Sequence, residues 1–396
     1  MNEERGKEPA AEDRKPSDSR GAQESGVPCA GGVIHRSSTI LHRLLRPLAP
    51  GALALAVGLA VGALALAGFG VNPLAAYRGI ALESFGSAYG FGQMLQKASQ
   101  LTLSGLAVAL AFRAGLFNIG GEGQIIVGAL AGAAVGLYGR SWPAAALLPA
   151  AIAACALGGA AWAAVPGILK ALSGAHEVIV TIMMNFIAYA LAGYLIMLPG
   201  FGSPNPSHTS PIAEGAWLPR LSETWGAFAG STVNWSVALS AACVAACWAI
   251  LRFSRFGFEL RVVGHDPRAA RYGAVPVGAV LAGAMALSGA FAGLIGADVV
   301  LGTKHYYESG FTTGLGFQGI AVALFGGARP AGAAVGAIVF AVLLNGKVAL
   351  AGQAPPYLLD VLAAVILLAT VSINGLAGRR YAAARQDGPP LDRSSA

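Results

Sequence analysis

Long apolar runs recur along the chain from Leu48 to Ile373, separated by short polar or glycine-rich breaks. A helix needs about 20 apolar residues to cross the hydrocarbon core of a bilayer, so each run of this length predicts a transmembrane helix. Two shorter runs meet at a turn that contains glycine and proline, and one of them is a candidate half-helix. The pattern predicts an all-α fold, a polytopic transmembrane helix bundle of about ten membrane segments that include short or broken helices. The predicted segments are 48–69, 93–112, 119–138, 143–165, 177–198, 234–252, 276–300, 317–327, 331–350 and 357–374.

The composition supports a membrane domain and excludes an ordinary soluble one. Hydrophobic residues make up 55% of the chain and charged residues 11%, with a mean hydropathy of +0.62, whereas soluble domains carry about 25% charged residues. Residues 1–46 contain eight Lys or Arg and seven Asp or Glu without apolar periodicity, which predicts a disordered N-terminal tail. We expect a transmembrane domain over 47–376 and a C-terminal tail over 377–396. The first apolar run lacks a convincing signal-peptide cleavage site, so we expect it to remain in the mature protein.

The distribution of arginine predicts the orientation in the membrane. Residues 252–272 hold five arginines, whereas the longer segment 199–233 holds only Arg220. Because short cytoplasmic loops carry an excess of Lys and Arg, the first of these segments should be cytoplasmic. An even number of segments then places both termini in the cytoplasm. The net charge of +7 follows from this topology, and no nucleic-acid-binding motif accompanies it.

Glycines four residues apart occur in several predicted helices. Small residues at this spacing let helix backbones approach closely in lipid, which indicates packing, with a role in helix sliding during transport as the alternative. They are Gly58 and Gly62; Gly128, Gly132 and Gly136; Gly289 and Gly293; and Gly332 and Gly336. The four cysteines include no CxxC motif and no nearby pair of histidines, so we predict no metal site.

The first stretch with polar chemistry is 113–126, where glycines and a glutamate interrupt two apolar runs. Backbone groups freed by such a break need partners or a water-filled cavity. Asn118 is a candidate cap of the following helix, while Glu122 and Gln124 offer polar groups near the bundle interior. The alternative is that Glu122 pairs with Arg113 or with backbone donors and only holds the loop.

The second stretch is 173–187, which opens the fifth predicted span. Ser173 and Glu177 are typical of a helix start. Thr181 and Asn185 are four residues apart and therefore share one helix face. They either bind a neighbouring helix or line a path for solute.

The third stretch is 252–273, which mixes arginines with aromatic and apolar residues. An amphipathic segment of this kind could dock into a groove on a partner protein. The alternative is an anchor that lies on lipid headgroups at the cytoplasmic surface.

These stretches resemble the ordered signature blocks of the permease subunits of bacterial nucleoside and simple-sugar ABC importers, within the branched-chain amino acid and ribose-type permease superfamily. The blocks are AGLFNIGGEGQ (114–124), HEVIVTIMMNFIA (176–188), FGFELRVVGHDPRAARYG (256–273) and GLGFQGIAVALFGGARPAGA (314–333). The GEGQ variant of the first block resembles the nucleoside branch more than the ribose or branched-chain amino acid branches.

The resemblance implies a multi-pass protein of the bacterial cell membrane that works with three kinds of partner. They are a cytoplasmic ATPase with two nucleotide-binding modules, a second homologous permease and an extracytoplasmic substrate-binding lipoprotein. Segment 252–273 would couple the permease to the ATPase. Its positions that match the family are Phe256, Gly257, Glu259, Arg261, Gly264, Ala269, Ala270 and Gly273. The candidate solute-path residues are Asn118, Glu122, Gln124, Thr181, Asn185 and Gln318.

The sequence contains no GxxxxGK[ST] phosphate loop, so we expect the chain to bind no cofactor and to use ATP only through a partner. A GxGxxG pattern at 314–319 precedes a membrane segment and follows no predicted strand, which argues against dinucleotide binding.

The main alternative function is a secondary transporter or channel, which would be expected to bury ionisable residues for ion coupling. Asp298, Asp360, Lys97 and Lys347 all fall near predicted span ends, where long side chains reach the interface, so no buried relay is expected. A ribose-type or branched-chain amino acid permease is a further alternative.

Overall fold

The computed structural model describes residues 49–204, 207–312, 314–351, 355 and 357–386. The predicted tail over 1–46 and the last ten residues of the predicted C-terminal tail lie outside the described residues. The principal helices are α1 (Ala49–Gly68), α2 (Pro73–Phe85), α3 (Ala88–Arg113), α4 (Gly121–Tyr138), α5 (Ala144–Ser173), α6 (Glu177–Leu195), α7 (Ser236–Phe253), α8 (Arg255–His265), α9 (Pro267–Tyr272), α10 (Val277–Gly296), α11 (Leu315–Phe325), α12 (Pro330–Ala349) and α13 (Tyr357–Gln386).

Among the described residues, six helices are long and apolar enough to cross a membrane: α4, α5, α6, α7, α10 with its extension to Lys304, and α12. Helices α1 and α2 pass the same test together and are bent by 116° at the break between them. Helix α11 and residues 357–373 of α13 are shorter apolar helices. The predicted all-α polytopic bundle with short and broken helices is therefore confirmed, and the part of the chain that is described contains isolated β-bridges but no named strand.

Helix α3 lies at the centre of the bundle. Every residue from Leu101 to Ala111 is buried, and α3 packs against α7, α10, α11 and α12. Its first half carries the polar residues Gln93, Gln96 and Gln100, which reach other helices and loops described below.

Several glycines of the predicted motifs lie at close backbone contacts, whereas Gly58 and Gly62 pack against the side chains of Ile366 and Leu362. A Cβ added at Gly159 in α5 would lie 2.8 Å from the Cα of Gly293 in α10. A Cβ added at Gly128 in α4 would lie 2.5 Å from the same Cα. Three helices therefore meet at glycine, which allows the close approach that small residues provide in lipid.

The predicted boundaries at Ser173 and at residue 300 differ from the structure. Ser173 is the last residue of α5, where its hydroxyl donates to the carbonyl oxygen of Leu169 at 2.7 Å, so the prediction that it opens the next helix is wrong. Helix α6 begins at Glu177, whose carboxylate forms an ion pair with Lys170 at 2.9 Å. Helix α10 continues as a π-helix over Ala297–Lys304, which extends the predicted 276–300 segment.

The long segment between α6 and α7 packs onto the chain that follows the π-helix. The amide of Ile212 donates to the carbonyl oxygen of His305 at 2.9 Å, and the amide of Thr209 donates to that of Tyr307 at 2.9 Å. The rings of Trp217 and His305 stack with centroids 4.0 Å apart. Burial, followed by the charge of Arg220, lowers the pKa of His305, which favours the neutral form of the imidazole.

Candidate solute path and coupling segment

The break between α3 and α4 is closed by a pair of amide side chains. Asn118 Nδ2 donates to Gln124 Oε1 at 3.0 Å, and Gln124 Nε2 donates back to Asn118 Oδ1 at 3.0 Å. Asn118 Nδ2 also donates to the Ser288 hydroxyl at 2.8 Å, and the amide of Gly120 donates to Asn118 Oδ1 at 2.9 Å. Helix α4 begins at Gly121, so Asn118 satisfies the backbone just before the helix start without being its N-cap residue.

Glu122 joins α4 to the start of α11. Its Oε1 accepts a hydrogen bond from the amide of Gly316 at 2.8 Å, and its Oε2 accepts one from the Tyr189 hydroxyl at 3.3 Å. Arg113 instead donates from Nε to the carbonyl oxygen of Ala328 at 2.8 Å. The sequence left open whether Glu122 pairs with Arg113 or with backbone donors. In the structure its carboxylate accepts a hydrogen bond from a backbone amide and does not pair with Arg113.

Asn185 holds the same region from α6. Its Oδ1 accepts from the amide of Gly123 at 2.9 Å, and its Nδ2 donates to the carbonyl oxygen of Ile119 at 3.0 Å. Thr181 lies one turn earlier, and a Cβ added at Gly120 would lie 3.1 Å from the Cβ of Thr181. Asn185 thus supplies two hydrogen bonds to backbone groups that the break leaves without helical partners.

Five of the six candidate solute-path residues therefore gather in one buried polar cluster, which we call the break cluster. Each is at most 3% exposed, and each makes a hydrogen bond inside the protein. In this conformation Asn118 and Asn185 hydrogen-bond the broken backbone, Glu122 binds the amide of Gly316, and Thr181 donates to the carbonyl oxygen of Val178 in its own helix. Contact with solute would require these polar atoms to exchange partners. The members of the break cluster are Asn118, Glu122, Gln124, Thr181 and Asn185.

Gln318 lies apart from the break cluster, on the face of α11 that lines a cavity of about 400 Å³. Its Oε1 is buried and has no hydrogen-bond partner within the described residues. The ion pair of Lys347 and Asp360, 2.7 Å long, lies in the same cavity wall. The rest of the wall is formed by Phe317 and Ala321 of α11, by Phe340, Leu343 and Leu344 of α12, and by Leu359, Ala363, Ala364 and Leu367 of α13.

A second buried polar group surrounds Asp298 and was not predicted. Asp298 is 0% exposed, so the expectation that it lies near an interface is wrong. Its Oδ1 accepts hydrogen bonds from Asn234 Nδ2 at 3.0 Å, from the Ser236 hydroxyl at 2.7 Å and from Gln96 Nε2. Gln100 also lies close to this carboxylate. The second carboxylate oxygen of Asp298, Oδ2, is buried and has no hydrogen-bond partner in the described part of the chain.

Of the other three ionisable residues assigned to span ends, Lys97 and Lys347 are partly buried and Asp360 is exposed. Lys97 Nζ donates to Asn345 Oδ1 at 3.0 Å, and Lys347 pairs with Asp360 as described. A sequence signal for the Asp298 group exists in Gln96 and Gln100, which are spaced one turn apart in an apolar helix. Their partner could not be identified, because Asp298 is about 200 residues away along the chain.

The predicted coupling segment 252–273 folds as two short helices, α8 and α9. Ser254 caps α8 by accepting from the amide of Gly257 at 2.9 Å. Asp266 caps α9 by accepting from the amides of Arg268 and Ala269 at 2.8 and 3.2 Å. The caps separate the two helices and fix their ends.

Helix α8 has an apolar face toward the bundle. Gly257, Leu260 and Val263 are buried, and the ring of Phe256 approaches Gly283 of α10. Phe258 is 57% exposed and Tyr272 is 94% exposed. The exposed surface of α8 and α9 therefore carries aromatic side chains, beside charged ones such as Arg255.

The remaining predicted coupling residues differ in their contacts. Glu259 pairs with Arg255 at 2.8 Å, and Arg261 donates to the carbonyl oxygen of Leu251. In α9, Ala270 is buried while Ala269 is exposed. Gly273 follows the last residue of α9.

Gly264 brings α8 into backbone contact with the end of α3. A Cβ added there would overlap the carbonyl oxygen of Arg113 and lie 2.9 Å from its carbonyl carbon. On the other side of this contact, Gly115 adopts φ +72°, a conformation that favours glycine. The coupling segment therefore touches the chain that leads directly into the break cluster.

Comparison with known proteins identifies the class. The model of the family described as "Branched-chain amino acid transport system / permease component" matches residues 90–371. The chain belongs to this family. It is a permease subunit of an ABC importer, a transporter component and not an enzyme, and the family implies an ATPase and a substrate-binding partner.

Three relatives are similar over most of the chain. The guanosine ABC transporter permease protein NupP of Bacillus subtilis is 40% identical over 84% of this chain and 94% of its own length. The glucose ABC transporter permease protein TsgB13 of Haloferax volcanii is 35% identical over 78% of this chain and 83% of its own. The nucleoside ABC transporter permease protein NupB of Lactococcus lactis is 30% identical over 82% of this chain and 90% of its own length. No solved structure matches the chain.

Proposed function

We propose that this permease subunit serves an importer of nucleosides. The observation that carries the proposal is similarity over most of the chain to permeases named for guanosine and for nucleosides. The GEGQ sequence at 121–124 in the break agrees with this branch, with Glu122 and Gln124 both buried in the break cluster. The relative named for glucose supports a sugar as the second candidate.

The proposed importer contains three kinds of partner: an ATPase with two nucleotide-binding modules, a second homologous permease and an extracytoplasmic binding lipoprotein. The arginine-rich segment that contains α8 and α9 faces the cytoplasm, as do both termini. The exposed aromatic residues Phe258 and Tyr272 fit a protein partner on this side, since such side chains are enriched in binding sites.

The contact between Gly264 and Arg113 is the proposed coupling route. Movement of α8 would displace the end of α3, because backbone atoms in van der Waals contact cannot be compressed and therefore move together. The next residues along the chain, 114–120, enter the break cluster. We therefore assign Asn118, Gln124 and Asn185 a switching role, in which exchange of their hydrogen bonds opens and closes the solute path.

The cavity beside Gln318 is the proposed position of solute in the membrane domain. Its volume of about 400 Å³ falls within the range of about 300–1,000 Å³ typical of small-molecule sites. Phe317 and Phe340 offer aromatic surfaces for a base. Gln318 Oε1 is buried and has no hydrogen-bond partner within the described residues, so rotation of this side chain toward the cavity would offer an acceptor to an N–H or O–H group of a nucleoside.

The test is uptake of radiolabelled guanosine by cells or proteoliposomes that contain the complete importer, with unlabelled nucleosides, glucose and ribose as competitors. We expect nucleosides to compete and sugars not to. Competition by glucose alone would replace the nucleoside assignment with the sugar candidate. Gln318→Ala should raise the KM for the solute about fivefold, since a lost hydrogen bond costs about 1 kcal/mol. Gln318→Asn, which retains the amide, is the matched variant.

A further inference from the structure

Four arginines from four different parts of the chain converge on a second cavity, of about 340 Å³. Arg113 ends α3, Arg252 lies in the last turn of α7, Arg261 lies on α8 and Arg329 immediately precedes α12. Because the four arginines are distant from one another in the sequence, the tertiary fold brings them together, and they do not simply belong to one basic loop. We call this the arginine cavity.

The positive charge of the arginine cavity is not neutralised by the part of the chain that the structure describes. None of the four arginines forms an ion pair with a carboxylate among those residues. Arg113 and Arg261 each donate to a backbone carbonyl oxygen, which leaves further N–H groups on both. Arg113 also lies close enough to Arg329 and Arg261 for their charges to repel. A bound anion would offset this repulsion.

Guanidinium groups from several directions match the oxygens of a phosphate, which they bind through paired N–H donors. The rest of the wall is apolar and is formed by Trp248, Leu251, Pro330 and Ala331. A free phosphate ion would gain nothing from this wall. An amphiphile with a phosphate head and hydrocarbon chains would use both parts.

The position of the arginine cavity also favours lipid. Helices α7 and α12 are both membrane spans, and the cavity lies where the first ends and the second begins. Trp248 is 53% exposed one turn before Arg252, as is typical of rings at the level of lipid headgroups. Basic pockets between membrane helices bind the headgroups of anionic lipids.

We propose that the arginine cavity binds the phosphate of an anionic glycerophospholipid, whose acyl chains lie along Trp248 and the ends of α7 and α12. Such a lipid would join α8, through Arg261, to the ends of three other helices. It would therefore hold the coupling segment in the position from which it contacts α3. This binding site is independent of which solute the importer carries.

The test is native mass spectrometry of the full-length chain in the assembled importer, titrated separately with phosphatidylglycerol and phosphatidylcholine. We expect phosphatidylglycerol to bind at least tenfold more tightly. Arg252→Gln combined with Arg329→Gln should weaken its binding about 30-fold, because each arginine near a lipid surface contributes about fivefold. Arg268→Gln, an exposed arginine of the same segment outside the cavity, is the matched control and should bind as the unmodified protein does.

Several results would overturn the proposal. Equal binding of the two lipids would do so, as would a double variant that retains phosphatidylglycerol with the affinity of the control. If inorganic phosphate at millimolar concentration displaced the lipid, the cavity would be a free-anion site. If the lipid bound the isolated chain but not the assembled importer, an acidic side chain of the ATPase would occupy the cavity instead.

Discussion

Replacement of Gly264 by alanine tests how the coupling segment transmits force. The added Cβ would overlap the carbonyl oxygen of Arg113 and lie 2.9 and 3.2 Å from the carbonyl carbons of Arg113 and Ala114. Ordinary contact of a Cβ begins near 3.4 Å, and all three atoms belong to backbone. Helix α8 must therefore move away from α3 by roughly 1 Å, at an overpacking cost of about 1–3 kcal/mol.

The higher helix propensity of alanine offsets about 1 kcal/mol of this cost. The net cost of about 1 kcal/mol corresponds to a factor of about five in rate. We therefore expect the Gly264→Ala importer to assemble and hydrolyse ATP but to accumulate solute about fivefold more slowly. Uptake and ATP hydrolysis are measured on the same proteoliposomes. The two rates together separate a coupling defect from a loss of assembly.

Gly79→Ala in α2 is the matched control outside the coupling segment. A Cβ at Gly79 would lie 3.9 Å from the Cβ of Ala349, which is ordinary contact. This variant should transport normally. Normal uptake by Gly264→Ala, or an equal defect in both variants, would refute the proposed contact as the coupling route.

Three further predictions concern the buried polar groups. Glu122→Ala should lower the free energy of unfolding by about 1–3 kcal/mol in thermal-shift measurements because the buried amide of Gly316 loses its acceptor; unchanged stability would show that another acceptor replaces it. Asn185→Ala should destabilise by a similar amount and reduce uptake, because Gly123 and Ile119 both lose partners, and wild-type uptake would remove Asn185 from the switching role. Asp298→Asn, which retains an acceptor oxygen, should transport normally, whereas loss of uptake with normal folding would show that the buried carboxylate takes part in transport.

The hydropathy pattern predicted most of the membrane helices, because a segment that crosses lipid must be long and apolar whichever helices it packs against. It also located the break at 113–126 and the polar residues Asn118 and Asn185. It could not predict which polar atoms meet. The Asn185 contact with Gly123 spans 62 positions in the chain, and its geometry depends on the packing of α4 against α6.

Asp298 shows the limit of the sequence analysis most clearly. An acidic residue close to the end of an apolar run is ordinarily at an interface. The π-helix over Ala297–Lys304 extends this span, and the segment that follows α6 covers it. Only the tertiary fold brings Gln96 and Asn234 to the carboxylate. Gln318 is a second example. The sequence analysis lists it with the other candidate solute-path residues, whereas in the structure it lines a separate cavity on the other face of α11.

The most direct test of the account is the side of the membrane to which the coupling segment is exposed. Tyr272, 94% exposed on α9, is replaced by cysteine in a Cys29→Ser background, since Cys155, Cys243 and Cys247 are buried. A membrane-impermeant maleimide should label position 272 in inside-out vesicles, and bound ATPase should block that labelling. Labelling in intact cells, with none in inside-out vesicles, would place the segment outside and contradict the proposed coupling to a cytoplasmic ATPase.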